Sequence, residues 1–131
     1  MSRIQLALNV TDIDRAVEFY SKLFGAEPAK RRDGYANFAI DTPPLKLVLI
    51  ESTDGGTINH LGVEVAETGQ VSDAAARLVE SGLATFEEHE VACCYALQDK
   101  VWVHDPDGAP WEIYTVLADA PEASIEPAAC C

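Results

Sequence analysis

Basic residues are scarce. Lys and Arg number 9 against 22 Asp and Glu, a formal net charge of −13 at pH 7. So acidic a chain cannot neutralise a row of phosphates, which excludes nucleic acid and anionic membrane surfaces as partners. Long apolar runs are missing too. No stretch approaches the roughly 18 consecutive apolar residues that a membrane span needs. The start, Met1-Ser2-Arg3-Ile4-Gln5, has no basic segment followed by an apolar one. The expectation is therefore no signal peptide and a cytoplasmic protein. Cysteine occurs only as two adjacent pairs, Cys93-Cys94 and Cys130-Cys131. That spacing matches no zinc finger. Neighbouring Cα atoms lie about 3.8 Å apart, short of the usual range of about 4.4–6.8 Å for a disulfide, so free thiols are expected. Wholesale disorder is excluded by composition: 48% of the 131 residues are apolar and 24% charged, as in one globular domain.

What is present is a repeat. Ile4 to Val10 reads as a strand, with Gln5, Ala7 and Asn9 on one face and Leu6, Leu8 and Val10 on the other. Thr11 is the expected N-cap, with Asp14 favouring the helix start. Ile13, Ala16, Val17, Tyr20, Leu23 and Phe24 keep helical spacing until Gly25. Strands are expected at about 28–32, 35–40 and 45–51, separated by Asp33-Gly34 and Pro43-Pro44. The order then restarts with a strand at 58–65 and a helix from Val71 that ends at Gly82. Strands at about 84–90, 99–104 and 111–116 complete it.

Gln5 and His60 occupy equivalent places, each five residues before a closing Val. The predicted fold is α+β: two βαβββ modules, about 2–53 and 56–116, in a single domain over 1–116. Residues 117–131, with five Ala, two Pro, three acids and no basic residue, read as a flexible Cys-ended tail.

Two places carry candidate chemistry. Asp105-Pro106-Asp107-Gly108 is strong turn chemistry, and Glu112 follows inside an otherwise apolar strand between Trp111 and Ile113. A Glu there either faces solvent or pairs with a cation inside the sheet. Cys93-Cys94 falls in an expected loop, Val91 to Gln98, which is predicted to be mobile. The pair is either two inert small residues or a ligand for a thiophilic centre that needs only two sulfurs, such as organic arsenic(III).

The duplicated module, with Asp-Pro-Asp-Gly shortly before a Glu in the last strand, resembles the vicinal oxygen chelate superfamily. Glyoxalase I, extradiol dioxygenases and the fosfomycin- and bleomycin-resistance proteins are members. The resemblance implies a cupped mixed sheet around a metal site, with ligands from the first strand of each module and from the last. Those places hold Gln5, His60 and Glu112. Three such donors leave about half of an octahedral shell open, like a facial Fe(II) site with Gln replacing one His.

Five segments sharpen the likeness: Ser2–Leu8, Gly34–Ile40, Pro43–Leu49, Asn59–Val65, and Cys93–Ala96 continuing through Gln98–Val103. They resemble the ArsI/CadI group, which contains Fe(II)-dependent C–As lyases and proteins described as cadmium-induced. The resemblance implies Gln5, His60 and Glu112 as catalytic metal ligands for Fe(II), and Cys93 and Cys94 as the substrate-binding pair. It implies a trivalent organoarsenical and dioxygen as the small-molecule partners, with inorganic As(III) released. The rival reading is a thiol-based protein that sequesters Cd, Zn or As without turnover. Tyr35, Phe38, Tyr95 and Trp102 either line a cavity or fill the core. Lys100 either holds an anionic substituent or protects a strand edge. No role is assigned to His89 or His104. Cys130-Cys131 is either a trafficking pair or incidental.

Overall fold

The computed structural model describes residues 2–120. It divides into two units inside one strand: Arg3–Leu61, and the residues from Gly62 onward.

The first unit holds β1 (Arg3–Val10), α1 (Ile13–Phe24), β2 (Lys30–Arg32), β3 (Tyr35–Ile40), β4 (Leu45–Glu51) and the start of β5 (Ile58–Glu64). Its strand order is β2-β3-β4-β1, then β5. β1 and β4 run parallel, with Gln5 opposite Lys46. Alternation along β1 sends Leu6, Leu8 and Val10 against Ile13 and Val17 of α1, and Phe38, Leu47 and Leu49 close the same core. Gln5, Ala7 and Asn9 are left on the other face.

The helix starts one residue later than the Thr11 cap implies. Asp12 is the N-cap: its backbone is extended, and its carboxylate accepts the Arg15 N–H at 3.2 Å. Thr11 is pressed against Gly55 instead, so closely that a Cβ there would lie 2.0 Å from Thr11 Oγ1. Gly25 ends the helix as expected, in the left-handed region at φ 62°.

The second unit holds the rest of β5, α2 (Thr68–Glu80), β6 (Phe86–Cys93), β7 (Ala96–His104) and β8 (Pro110–Asp119). Its order, β5-β8-β7-β6, repeats that of the first: the opening strand lies beside the last, then the third, then the second. The α+β class and the repeated βαβββ order of the sequence reading therefore hold. α2 begins three residues before the apolar pattern does. Gln70 Oε1 accepts the backbone N–H groups of Ala66 and Glu67, each at 3.0 Å, which satisfies donors that the first turn leaves open. Val71, Ala75 and Leu78 pack on Val101, with Val65, Val103 and Ile113 around them.

The predicted loop at 91–98 is a correction. β6 runs to Cys93 and β7 starts at Ala96, with those two residues paired, so only Cys94 and Tyr95 form the turn. Both have positive φ, 49° and 61°, the backbone of a type I′ hairpin turn. That turn ordinarily takes Asn or Gly, and Cys-Tyr gives no such signal. The tail boundary moves as well. β8 continues to Asp119, which pairs with Ala96. The remainder of the expected tail, with Cys130-Cys131, lies outside the described residues. Among the described residues no helix is long and apolar enough to cross a membrane.

Candidate functional site

Gln5 is buried on β1, on the face turned away from α1. His60, on β5 in the same unit, is 2% exposed, and its Nδ1 lies 2.7 Å from Asn59 Oδ1. An imidazole whose Nδ1 is engaged in this way is oriented to offer Nε2 to a metal.

Glu112, in the second unit, is also 2% exposed, which removes the solvent-face reading. The turn before it is built as the sequence implies. Asp105 Oδ1 accepts the N–H groups of Asp107 and Ala109, both at 2.9 Å, and Gly108 takes φ 87°. Ile113 faces α2, so Glu112 and Tyr114 face the other way. The register sets Lys100 opposite Tyr114 and Trp102 opposite Glu112, which puts all four side chains on one face. Lys100 Nζ meets Glu112 Oε1 at 2.6 Å, and both side chains are almost wholly buried. The ammonium also stands 5.2 Å from the Trp102 ring centroid and 5.7 Å from that of Tyr114. A carboxylate and two aromatic faces thus replace the water it has lost.

The edge role expected for Lys100 does not hold, because β7 lies between β8 and β6; its buried charge meets Glu112. The pairing of Glu112 with a cation inside the sheet, one of its two expected readings, therefore holds, but Lys100 was not named as that cation. One signal was available: Lys100 and Glu112 are opposite charges, each beside apolar strand residues, in strands joined by a strong turn signal.

Cys93 is fully buried at the end of β6. Ala96, its partner, shares a face of β7 with Gln98, Lys100 and Trp102, so Cys93 belongs to the same face as Glu112. Gln98 Nε2 donates to the Cys93 carbonyl at 2.7 Å and ties the base of the turn. Neither sulfur is a free thiol. Cys93 and Cys94 are both disulfide-bonded, which corrects the expected state. Cys93 is fully buried, and a buried sulfur is poorly placed to be a thiolate.

Phe38 fills the core under α1 rather than a cavity. Tyr35 is buried, and its hydroxyl oxygen accepts from Asn37 Nδ2 at 3.0 Å. Trp102 Nε1 donates to Glu88 Oε1 at 2.9 Å. His89 and His104 are exposed.

Among the described residues no three His, Cys, Asp or Glu side chains gather into one metal cluster. The expected set contains only two of those types, His60 and Glu112, with the amide of Gln5 as its third donor. The donor chemistry fits a divalent first-row metal: one neutral amide, one imidazole and one carboxylate, each buried in a strand. Lys100 occupies one oxygen of that carboxylate.

A family model described as the Glyoxalase/Bleomycin resistance protein/Dioxygenase superfamily matches residues 3–113. The chain belongs to this superfamily. A protein of Thermomonospora curvata named trivalent organoarsenical cleaving enzyme is 60% identical, over all of this chain and 89% of its own length. The cadmium-induced protein CadI of Mycobacterium tuberculosis is 62% identical, over 92% of this chain and 80% of its own. Among solved structures of the superfamily fold, an Mn(II)-bound glyoxalase from Novosphingobium aromaticivorans matches with a TM-score of 0.66 at 19% identity. It covers 97% of this chain and 44% of its own, and at that identity the likeness shows the fold alone.

Proposed function

We propose that this superfamily member cleaves the carbon–arsenic bond of trivalent organoarsenicals, methyl or aryl, and releases inorganic As(III) in an Fe(II)- and dioxygen-dependent reaction. The observation that carries the reading is the 60% identity over the whole chain with a relative of that named activity. The chemistry of the residues supports it. Cys93 and Cys94, once reduced, take up the substrate: two thiols displace two hydroxyls from R–As(OH)₂, forming two S–As bonds and releasing two waters. Two sulfurs chelate where one would bind transiently. The disulfide state makes reduction by a cellular or added thiol, two electrons for each S–S bond, the necessary first step.

Gln5, His60 and Glu112 would hold the metal. Fe(II) bound there supplies reactivity toward dioxygen that no side chain possesses. Asn59 orients the His60 ring through its 2.7 Å contact at Nδ1. Lys100 pairs with Glu112 Oε1 at 2.6 Å and fixes the orientation of the carboxylate. Trp102 and Tyr114 shield this ion pair from water. Holding arsenic where oxygen is activated replaces a dilute encounter with proximity.

The similarity to proteins named cadmium-induced keeps a second reading in play, sequestration of Cd or As by the thiols without turnover. One assay separates the two. Reduced protein is loaded anaerobically with Fe(II), mixed with methylarsonous acid and opened to air, and inorganic As(III) is counted. Release over many equivalents is the expected result. Release that stops at or below one equivalent sinks the lyase reading.

A further inference from the structure

A chain of four hydrogen bonds runs from a backbone carbonyl to the His60 ring, all inside the first unit. Thr57 Oγ1 donates to the Asp54 carbonyl at 2.7 Å. Asn9 Nδ2 donates to Thr57 Oγ1 at 2.9 Å. Asn59 Nδ2 donates to Asn9 Oδ1 at 3.0 Å. Asn59 Oδ1 then lies 2.7 Å from His60 Nδ1.

The direction of this chain is not free. A carbonyl oxygen only accepts, so the single Thr57 hydroxyl proton must point at Asp54. Thr57 Oγ1 then has only lone pairs for Asn9, which must present its NH₂. That turns the Asn9 oxygen toward Asn59, whose NH₂ answers it, and leaves the Asn59 oxygen facing His60. An oxygen there requires a proton on Nδ1. Flipping either amide sets two acceptors or two donors against each other.

The backbone holds the start of the chain in place. Asn9 N–H bonds the Thr57 carbonyl and Gly56 N–H bonds the Asn9 carbonyl, each at 2.9 Å. Gly55 admits no Cβ because Thr11 lies against it.

We propose that Thr57, Asn9 and Asn59 are positioning residues that set the tautomer of His60, with the proton on Nδ1 and the lone pair on Nε2. The selection is built into the metal-free protein. It deepens the proposed function, because a lone pair on Nε2 is what His60 needs to ligate, and it rests on that reading only for its use. An Nε2-protonated ring would have to break the last hydrogen bond or flip both amides, so the Nδ1–H form is favoured about tenfold by one such bond.

The test uses the full chain, metal-free and ¹⁵N-histidine labelled, at pH 8, where an ordinary imidazole is neutral. Long-range ¹H–¹⁵N spectra report which ring nitrogen carries the proton. The expected result for the parent is His60 with Nδ1–H. Asn59→Ala removes the acceptor and is expected to cut that preference about tenfold. Asn59→Asp keeps an oxygen toward Nδ1 while giving up the bond to Asn9, and is expected to restore it. Co(II) serves as the metal probe. Its affinity is expected to fall about 10- to 100-fold in Asn59→Ala and to return in Asn59→Asp.

Nε2–H in the parent overturns the proposal. So does an Asn59→Ala spectrum like that of the parent, or an Asn59→Asp protein that fails to recover the Nδ1–H signature. The proposed reaction fails separately: the correct tautomer with no As(III) release leaves the relay standing and removes the lyase.

Discussion

Glu112→Ala removes the carboxylate that Lys100 Nζ meets at 2.6 Å and leaves a buried ammonium with only two aromatic faces beside it. Unit charges at that separation attract by about 6 kcal/mol at an effective dielectric of about 20. Desolvation offsets much of this in the intact pair, but the variant keeps the desolvation of Lys100 and loses the attraction. Breaking a buried pair from one side costs about 3–5 kcal/mol. Against a total stability of about 5–15 kcal/mol, that is a large fraction. For a chain of this length it lowers Tm by roughly 10–20 °C. The assay is urea and thermal unfolding of metal-free protein, so that ligation plays no part. The control is the double variant Lys100→Met with Glu112→Leu, which removes both charges and is expected to return to within about 1 kcal/mol of the parent. A loss below about 1 kcal/mol for Glu112→Ala alone would refute the picture of a desolvated pair. Activity is expected to vanish in both variants, so the double variant gives the cleaner reading of Glu112 as a ligand.

Other outcomes follow from the same geometry. Cys93→Ser and Cys94→Ser are each expected to lose most As(III) release under reducing conditions, because a hydroxyl is a hard replacement for a soft thiolate; turnover counts check this. Deletion of residues 121–131 is expected to leave turnover of a methyl substrate intact in reductant, whereas a deletion from 118 cuts β8 and removes the Asp119–Ala96 pairing, which denaturant titration will detect. Gly55→Ala is expected to cost about 1–3 kcal/mol in the same titration, because its Cβ lies 2.7 Å from the Thr11 backbone nitrogen as well as against the hydroxyl.

Much of the fold was written in local patterns. The alternation along β1, the 3.6-residue spacing of α1 and the Asp105–Gly108 turn depend on near neighbours, and the structure matches each closely. The repeat also made Gln5 and His60 visible, since a polar residue recurring at the same place in two apolar strands stands out. What escaped depends on register. Lys100 and Glu112 meet only because Trp102 pairs with Glu112 and Lys100 with Tyr114; a slip of one residue would separate them. Asn9 reaches Asn59 across 50 positions, a contact no local pattern encodes. The turn at Cys94-Tyr95 was hidden because its residues contradict its backbone. The sequence offered a loop because it lacked the Gly or Asn that marks a tight hairpin.

That hairpin gives the second unit no slack in chain length. Cys94 and Tyr95 alone join two paired strands, with Cys93 tied to Ala96 and the Gln98 amide closing the base. From Ala96 the strand climbs four residues to Lys100, roughly 13 Å at about 3.3 Å per residue. The distance from sulfur to ion pair is therefore a ruler graduated in residues. Inserting or deleting one residue in β7 would reverse its inward and outward sides beyond that point and carry Lys100 across the sheet from Glu112. Relatives that keep this chemistry should thus tolerate substitution of Tyr95 more readily than a change in the number of residues between Cys93 and Lys100. Length variation belongs elsewhere, in connections such as the one between β4 and β5, and even there Gly55 restricts how the chain may pass Thr11.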